Sequence, residues 1–214
     1  MNIIKKLFEG LNLTWLKLIA LAVVVGLYTG LITYIPALEG TSFQDVLYHY
    51  EWWIFFGIII IMNSKSALDS SLKCFVFYLI SLFIGGLIAD LSKFSVVGWS
   101  SLGNYWEWVF PLLSAFSIGF VGFYMRKDKW WGLIILFPML IILGYHYSKY
   151  LNSLIYVFPY HLLSCIFCLV TIFLYALIIF KDKKIKTAAI IISSTIAIFM
   201  TVISLTSPPK YGIW

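Results

Sequence analysis

Apolar residues run along this chain in long stretches broken by short polar clusters. A membrane-crossing helix needs about 20 mainly apolar residues, within a range of about 17–25. Such stretches lie near residues 18–35, 46–63, 74–89, 108–125, 130–145, 153–180 and 187–207. Pro36 closes the first and Pro208-Pro209 the last, since proline removes an amide donor and stops a helix. The second is interrupted by His49 and Glu51 and the third is short, so a shallow hairpin is the alternative for this pair. The 153–180 stretch is long enough to tilt or to add a turn beyond the lipid. Ahead of the first stretch, Ile3, Ile4, Leu7, Phe8 and Leu11 follow i, i+3, i+4 spacing, with Lys5, Lys6, Glu9 and Asn12 opposite. That spacing predicts an interfacial amphipathic helix over residues 1–13. The first apolar stretch is longer than a signal-peptide core and no small-x-small site follows it, so no cleaved leader is expected. The pattern predicts an all-α fold, a polytopic transmembrane helix bundle of about seven spans in a single integral membrane domain.

Composition removes the competing classes. The 214 residues are 62% hydrophobic and 11% charged, with a mean hydropathy of +0.98. Soluble domains carry about 25% charged residues, so a water-soluble globule, a disordered chain and a disulfide scaffold are all excluded. The net charge of +6 does not point to nucleic acid, because the basic residues fall between apolar stretches as topogenic charge. With the N-terminus cytoplasmic, twelve of the 15 Lys and Arg lie inside and only Lys93, Lys149 and Lys210 outside. The C-terminus is then outside. All nine tryptophans fall near predicted span ends, the headgroup level that indole prefers. Cys74, Cys165 and Cys168 lie in apolar stretches. Cys165-x-x-Cys168 has a redox spacing, but an apolar helix disfavours the thiolate, so these read as packing residues.

Three groups of polar residues carry candidate chemistry. In the sixth span His161, Ser164, Cys165, Cys168, Thr171 and Tyr175 share one helical face. His161 lies about 12 Å into that stretch at 1.5 Å per residue. An ionisable group inside a membrane is a functional candidate by default, so His161 and Ser164 are expected ligand-binding residues. The plainer reading is a neutral histidine bonded to a neighbouring helix. In the second group Glu51, Asp90 and Glu107 each end a span on the outer side, with His49, His146 and Tyr145 at similar depth. Glu39 and Asp45 lie in the first outer loop. Glu51, Asp90, Glu107 and His146 are read as an acidic vestibule that draws in a cation or polar solute, against a merely solvated rim. Their spacing fits no recognised metal motif, so no metal and no other cofactor is expected. Glu51 lies within Tyr48-His49-Tyr50-Glu51-Trp52-Trp53, where a carboxylate needs a polar partner or water. In the third group Lys65, Asp69 and Lys73 repeat every four residues as an ion-pair ladder. They form a cytoplasmic gate, a partner contact or a stable connecting helix.

Ala22, Gly26 and Gly30 form a stripe of small residues on the first span, suited to internal packing or to docking another membrane subunit. No phosphate loop, H-E-x-x-H, G-x-S-x-G or paired-carboxylate signature occurs. No catalytic residue is therefore assigned, and the chain is not expected to be an enzyme.

Three stretches carry a resemblance: Glu51-Trp52-Trp53 followed by Asn63-Ser64-Lys65; Leu72-Lys73-Cys74-Phe75-Val76-Phe77-Tyr78-Leu79-Ile80-Ser81; and Phe158-Pro159-Tyr160-His161-Leu162-Leu163-Ser164-Cys165-Ile166-Phe167-Cys168. Together they resemble a group of small, uncharacterised multi-pass membrane proteins of Gram-positive, Clostridia-like bacteria. The resemblance implies a bacterial plasma-membrane location and no mechanism. A looser likeness is to the substrate-binding membrane subunits of energy-coupling-factor vitamin transporters. These dock on their partner through small residues of the first helix, a part that Ala22, Gly26 and Gly30 would play. The expected function is binding or transport of a small polar solute or cation through a cavity lined by the sixth span. The alternatives are a non-transporting accessory or immunity subunit, a transporter's substrate-binding subunit, and an intramembrane enzyme using His161. The expected partners are the lipid bilayer, a solute and another membrane subunit, with no nucleic acid.

Overall fold

The structure is a computed structural model that describes residues 7–8, 10–32, 34–38, 40–93, 105–127 and 129–208. The side chains at 46–48, 89–93 and 105–108 lie outside that description. The described residues are helical with no strand. In chain order the helices are α1 (Trp15–Ile32), α2 (Ser42–Tyr48), α3 (Tyr50–Met62), α4 (Ala67–Lys93), α5 (Tyr105–Gly122), α6 (Trp130–Tyr156), α7 (Leu162–Ile179) and α8 (Lys183–Thr206). Six of them, all but α2 and α3, are long and apolar enough to cross a membrane. Large apolar side chains lie on their outer faces, Leu16, Phe110 and Ile134 among them. Water would not tolerate such a surface and lipid requires it. The chain is a multi-pass helical membrane protein. Of the 1–13 segment, residues 1–6 and 9 lie outside the described residues, and Leu7 and Phe8 are helical.

Helix ends differ from the apolar stretches for identifiable reasons. The 46–63 stretch is broken at His49, which leaves α3 with 13 residues, about 20 Å of helix at 1.5 Å per residue. The 74–89 stretch is the centre of a 27-residue helix. Its start is set by a capping box in which the Ser66 hydroxyl accepts from the Asp69 amide and the Asp69 carboxylate accepts from the Lys65 amide. Lys73 pairs with the same carboxylate at 2.9 Å, so the Lys65/Asp69/Lys73 group builds a helix start. The 153–180 stretch is two elements. α6 continues to Tyr156, Pro159 forbids helix in the residue before it, and α7 begins at Leu162. His161 is thus at a helix N-terminus and not a third of the way along a span. α8 starts four residues before its apolar stretch because the Asp182 side chain accepts from the Lys184 and Ile185 amides.

Backbone contacts divide the chain into two units, residues 1–39 with 56–124 and residues 40–55 with 125–214. In the first unit α1 and α4 run side by side in the same direction. A Cβ on Gly26 would meet the Ser81 carbonyl at 2.8 Å, and one on Gly30 would meet the Ile88 Cβ at 2.6 Å. From the other side, a Cβ on Gly85 would come 2.7 Å from the Thr29 hydroxyl. Ala22 is fully buried on the same stripe. The Ala22/Gly26/Gly30 face is therefore taken up by α4 within the protein, the internal use of the two that the sequence allows. α5 packs against the start of α4 at Gly119, where a Cβ would meet the Ser71 Cα at 2.9 Å. Asn63, just beyond α3, accepts from the Leu11 amide and donates to the Leu7 carbonyl. This ties the N-terminal segment to the turn before α4.

In the second unit α6, α7 and α8 form an up-down-up group. Gly144 lets Ile196 and Met200 of α8 approach α6, and Asn152 donates to the Ser204 carbonyl further along. Ser193 of α8 donates to the Ile172 carbonyl of α7. Lys129, Lys181, Lys183, Lys184 and Lys186 gather at the end of this group where α6 and α8 begin.

The close approach at Gly26 is against backbone, which cannot rotate away. We expect Gly26→Val to cost about 1–3 kcal/mol, the scale of overpacking, and to lower the melting temperature in detergent. The same change at Gly57, where the nearest atom is the Tyr78 hydroxyl at 3.2 Å, should cost less.

Candidate functional site

The polar residues of the second unit converge where α6 ends and α7 begins. α2 stops at Tyr48, the chain passes through His49 in an extended conformation (φ −119, ψ 143), and α3 begins at Tyr50. This break points both flanking acids into the protein. Asp45 is 3% exposed and Glu51 0%. α6 presents His146 and Tyr150 one turn apart on one face. α7 presents His161 and Ser164 at its first turn. The protein has three histidines, and all of them are in this cluster.

Asp45 forms the first centre. The His161 Nδ1 lies 2.9 Å from both carboxylate oxygens. The Ser164 hydroxyl donates to Oδ2 at 2.5 Å, and the Ser164 amide donates to the Ser42 hydroxyl at 3.2 Å. The carboxylate thus sits at the α7 N-terminus, where unpaired amides and the helix dipole favour negative charge. His161 itself has φ 61. Histidine enters this left-handed region more readily than most residues, and Asp45 fixes it there. His49 Nε2 is 3.8 Å from the other carboxylate oxygen.

Glu51 forms the second centre. The Tyr150 hydroxyl donates to Oε1. Oε2 has no hydrogen bond, and neither has the His146 Nδ1 that faces it at 3.5 Å. Tyr150 connects the two centres. Its hydroxyl holds Glu51, its ring stacks on His161 with centroids 5.4 Å apart, and the His49 ring meets its edge at 5.5 Å. Trp52 closes one side by stacking on Phe167 at 3.8 Å.

Among the described residues no lysine or arginine forms an ion pair with either carboxylate. Lys149, the nearby base, lies over the Tyr145 ring, 5.6 Å from its centroid. Burial holds the His49 ring below its ordinary pKa, against the opposing pull of Asp45. A neutral imidazole keeps one nitrogen lone pair for a proton or a metal. Ligand atoms of His49, Glu51 and His146 all lie within 4.8 Å of one another.

No family model, curated protein or solved structure matches the chain. The chemistry of the site must therefore be read from its own geometry. Ser164 is bonded to Asp45 and not to His161, so the histidine and the serine share one anion, the Asp45 carboxylate. They do not form a relay that would deprotonate a serine nucleophile.

The structure brings His161, Ser164, Glu51 and His146 into one cluster, although they come from three different parts of the sequence. The side chains of Asp90 and Glu107 lie outside the described residues. The buried face of α7 is the one that spacing predicts, since His161, Ser164, Cys165, Cys168, Thr171 and Tyr175 are all buried. Cys165 and Cys168 pack with Tyr147 and Tyr150. Asp45, the organising anion, reads in the sequence as a loop acid. Its i, i+4 relation to His49 is the available signal. Tyr150 is missed altogether, though it stands one turn after His146.

Removing one partner of a buried charged pair costs about 3–5 kcal/mol, and leaving one buried donor unpaired about 1–3 kcal/mol. We expect Asp45→Ala to lower thermal stability in detergent more than Ser164→Ala does, and Ser164→Ala more than Ser42→Ala.

Proposed function

We propose that this protein binds a small cation or cationic polar solute at the Asp45/Glu51 cluster and passes or presents it across a bacterial plasma membrane. One observation carries the reading: two carboxylates are buried, at 3% and 0% exposure, with no lysine or arginine paired to either among the described residues. Burying an anion without a compensating charge is expensive. A bound cation supplies that charge, and three imidazoles and a phenol complete its polar surroundings.

The orientation that goes with this reading is N-terminus inside, C-terminus outside and seven crossings, with α3 as the short one. Two features support it. α1 and α4 run parallel, so the chain returns between them, and Asn63 lies beside Leu7 and Leu11 at the end of that return. Lys129, Lys181, Lys183, Lys184 and Lys186 gather at the end opposite the acidic cluster, whereas Lys149 lies beside it, and the positive-inside rule assigns the lysine-rich end to the cytoplasm. The cluster then faces outward, and His161 and Ser164 are the first groups of α7 that a solute meets.

A ligand that binds only the folded protein stabilises it by about 2.7 kcal/mol at a hundred times its Kd. We expect a panel of inorganic and organic cations to include at least one that raises the melting temperature of the wild type. Asp45→Asn and His161→Ala should weaken that rise. A panel that moves nothing sinks the reading. For the orientation, alkaline phosphatase fused after Asn104 should be active and the same enzyme fused after Lys184 inactive.

A further inference from the structure

We infer that His49, Glu51 and His146 form a binding site for a first-row transition-metal dication of the Zn2+ class. This deepens the reading above and rests on it, because it names the kind of cation that the buried cluster takes.

Geometry comes first. Zinc binds histidine nitrogen and carboxylate oxygen at about 2.0–2.2 Å, so two donors on a tetrahedral ion stand about 3.4 Å apart. The His146 Nδ1 and the Glu51 Oε2 stand 3.5 Å apart. Neither atom has a hydrogen bond, although Glu51 is 0% and His146 6% exposed. Two buried polar atoms at this spacing, neither of them hydrogen-bonded, are costly unless something sits between them. The third donor comes from His49, and all three ligand atoms lie within 4.8 Å of one another. Closing that triangle requires a movement of up to about 1.4 Å, from the 4.8 Å limit to about 3.4 Å. His49 can supply it, because it is the non-helical residue between α2 and α3.

The donor types select the metal. Two imidazoles and one carboxylate suit zinc and its neighbours, whereas calcium and magnesium prefer sites built from oxygen. Three protein ligands also leave a fourth position for water or an exchangeable group. An outer contact holds one ligand in place. The Tyr150 hydroxyl fixes the other oxygen of Glu51. Such support orients ligands and raises their basicity. Charge balances as well, since Glu51 and Asp45 together neutralise a dication.

The sequence expectation of no metal rested on spacing along the chain. His49-x-Glu51 and His146 are separated by 95 positions along the chain, and only the fold brings them together.

The test uses the full chain, purified in detergent with chelator and then dialysed. Zn2+ is titrated in competition with a chromogenic chelator, and Co2+ is titrated by its visible absorption. The expected result is one ion per chain, with tetrahedral Co2+ bands that Glu51→Gln and His146→Ala each abolish. Tyr150→Phe should keep the bands and weaken affinity by about tenfold to a hundredfold, as loss of an outer-shell partner does. Should the ligand variants fail to fold, X-ray absorption of the Zn2+-loaded wild type decides. Imidazole scattering from two histidines supports the site, and its absence overturns it. Equal Co2+ binding in the Glu51→Gln/His146→Ala double variant also overturns it. If Zn2+ and Co2+ fail to bind while Na+, Ca2+ or an organic cation raises the melting temperature through Asp45, the metal site falls and the cation reading stands. If no cation of any class binds, both fall.

Discussion

A carboxylate removed from water must be met by donors or by positive charge, and that requirement organises the second unit of this protein. Asp45 and Glu51 are both buried, and everything around them answers one or other negative charge. α7 begins where the Ser164 hydroxyl can reach Asp45 and the Ser164 amide can reach the Ser42 hydroxyl. His161 takes an unusual backbone conformation with its ring against the same anion. Tyr150 stands on α6 at the level where its hydroxyl meets Glu51 and its ring covers His161. The break at His49 allows two acids, six residues apart and on either side of it, to enter one cluster. If α2 and α3 were one continuous helix, Asp45 and Glu51 would point in different directions, because six residues turn a helix by about 600°.

The first unit is held by a different force. Lipid offers no hydrophobic drive for one helix to prefer another over the surrounding chains, so close van der Waals packing must supply it. Gly26, Gly30 and Gly85 remove the side chains that would hold α1 and α4 apart, and the Thr29 hydroxyl is satisfied by the Gly26 carbonyl at 3.0 Å. Polar groups appear mainly at helix ends, in the Ser66/Asp69 cap and the Asn63 clamp. One unit is thus specified by the absence of side chains, the other by a few buried charged ones. Function is better sought in the second, since packing glycines bind nothing.

Much of this was legible from local pattern. The α7 face from Ser164 to Tyr175 is read correctly from i, i+3, i+4 spacing, because a helix carries its own periodicity wherever it lies. Gly26 and Gly30 are recognisable as a packing stripe for the same reason. Errors arise where an apolar run and a helix have different limits. Hydropathy does not see caps, so the starts of α4 and α8 come out too late, at Cys74 and Thr187 in place of Ala67 and Lys183. It also bridges Tyr156 and Leu162, where Pro159 ends one helix and another begins. That displaced His161 from a helix terminus into a span.

The sequence alone determined a helical membrane protein, the placement of its long apolar elements and which face of α7 is polar. These follow from the bilayer, which demands internally bonded backbone and apolar length whatever the tertiary arrangement. Only the fold decided what those polar faces meet. Asp45 with His161, Glu51 with Tyr150 and His49 with His146 are each joined across about a hundred residues or more. Separation along the chain carries no information about such pairs, because their partners are chosen by helix register and by the need to satisfy buried charge. That is why a cluster using every histidine in the protein left no motif in its sequence.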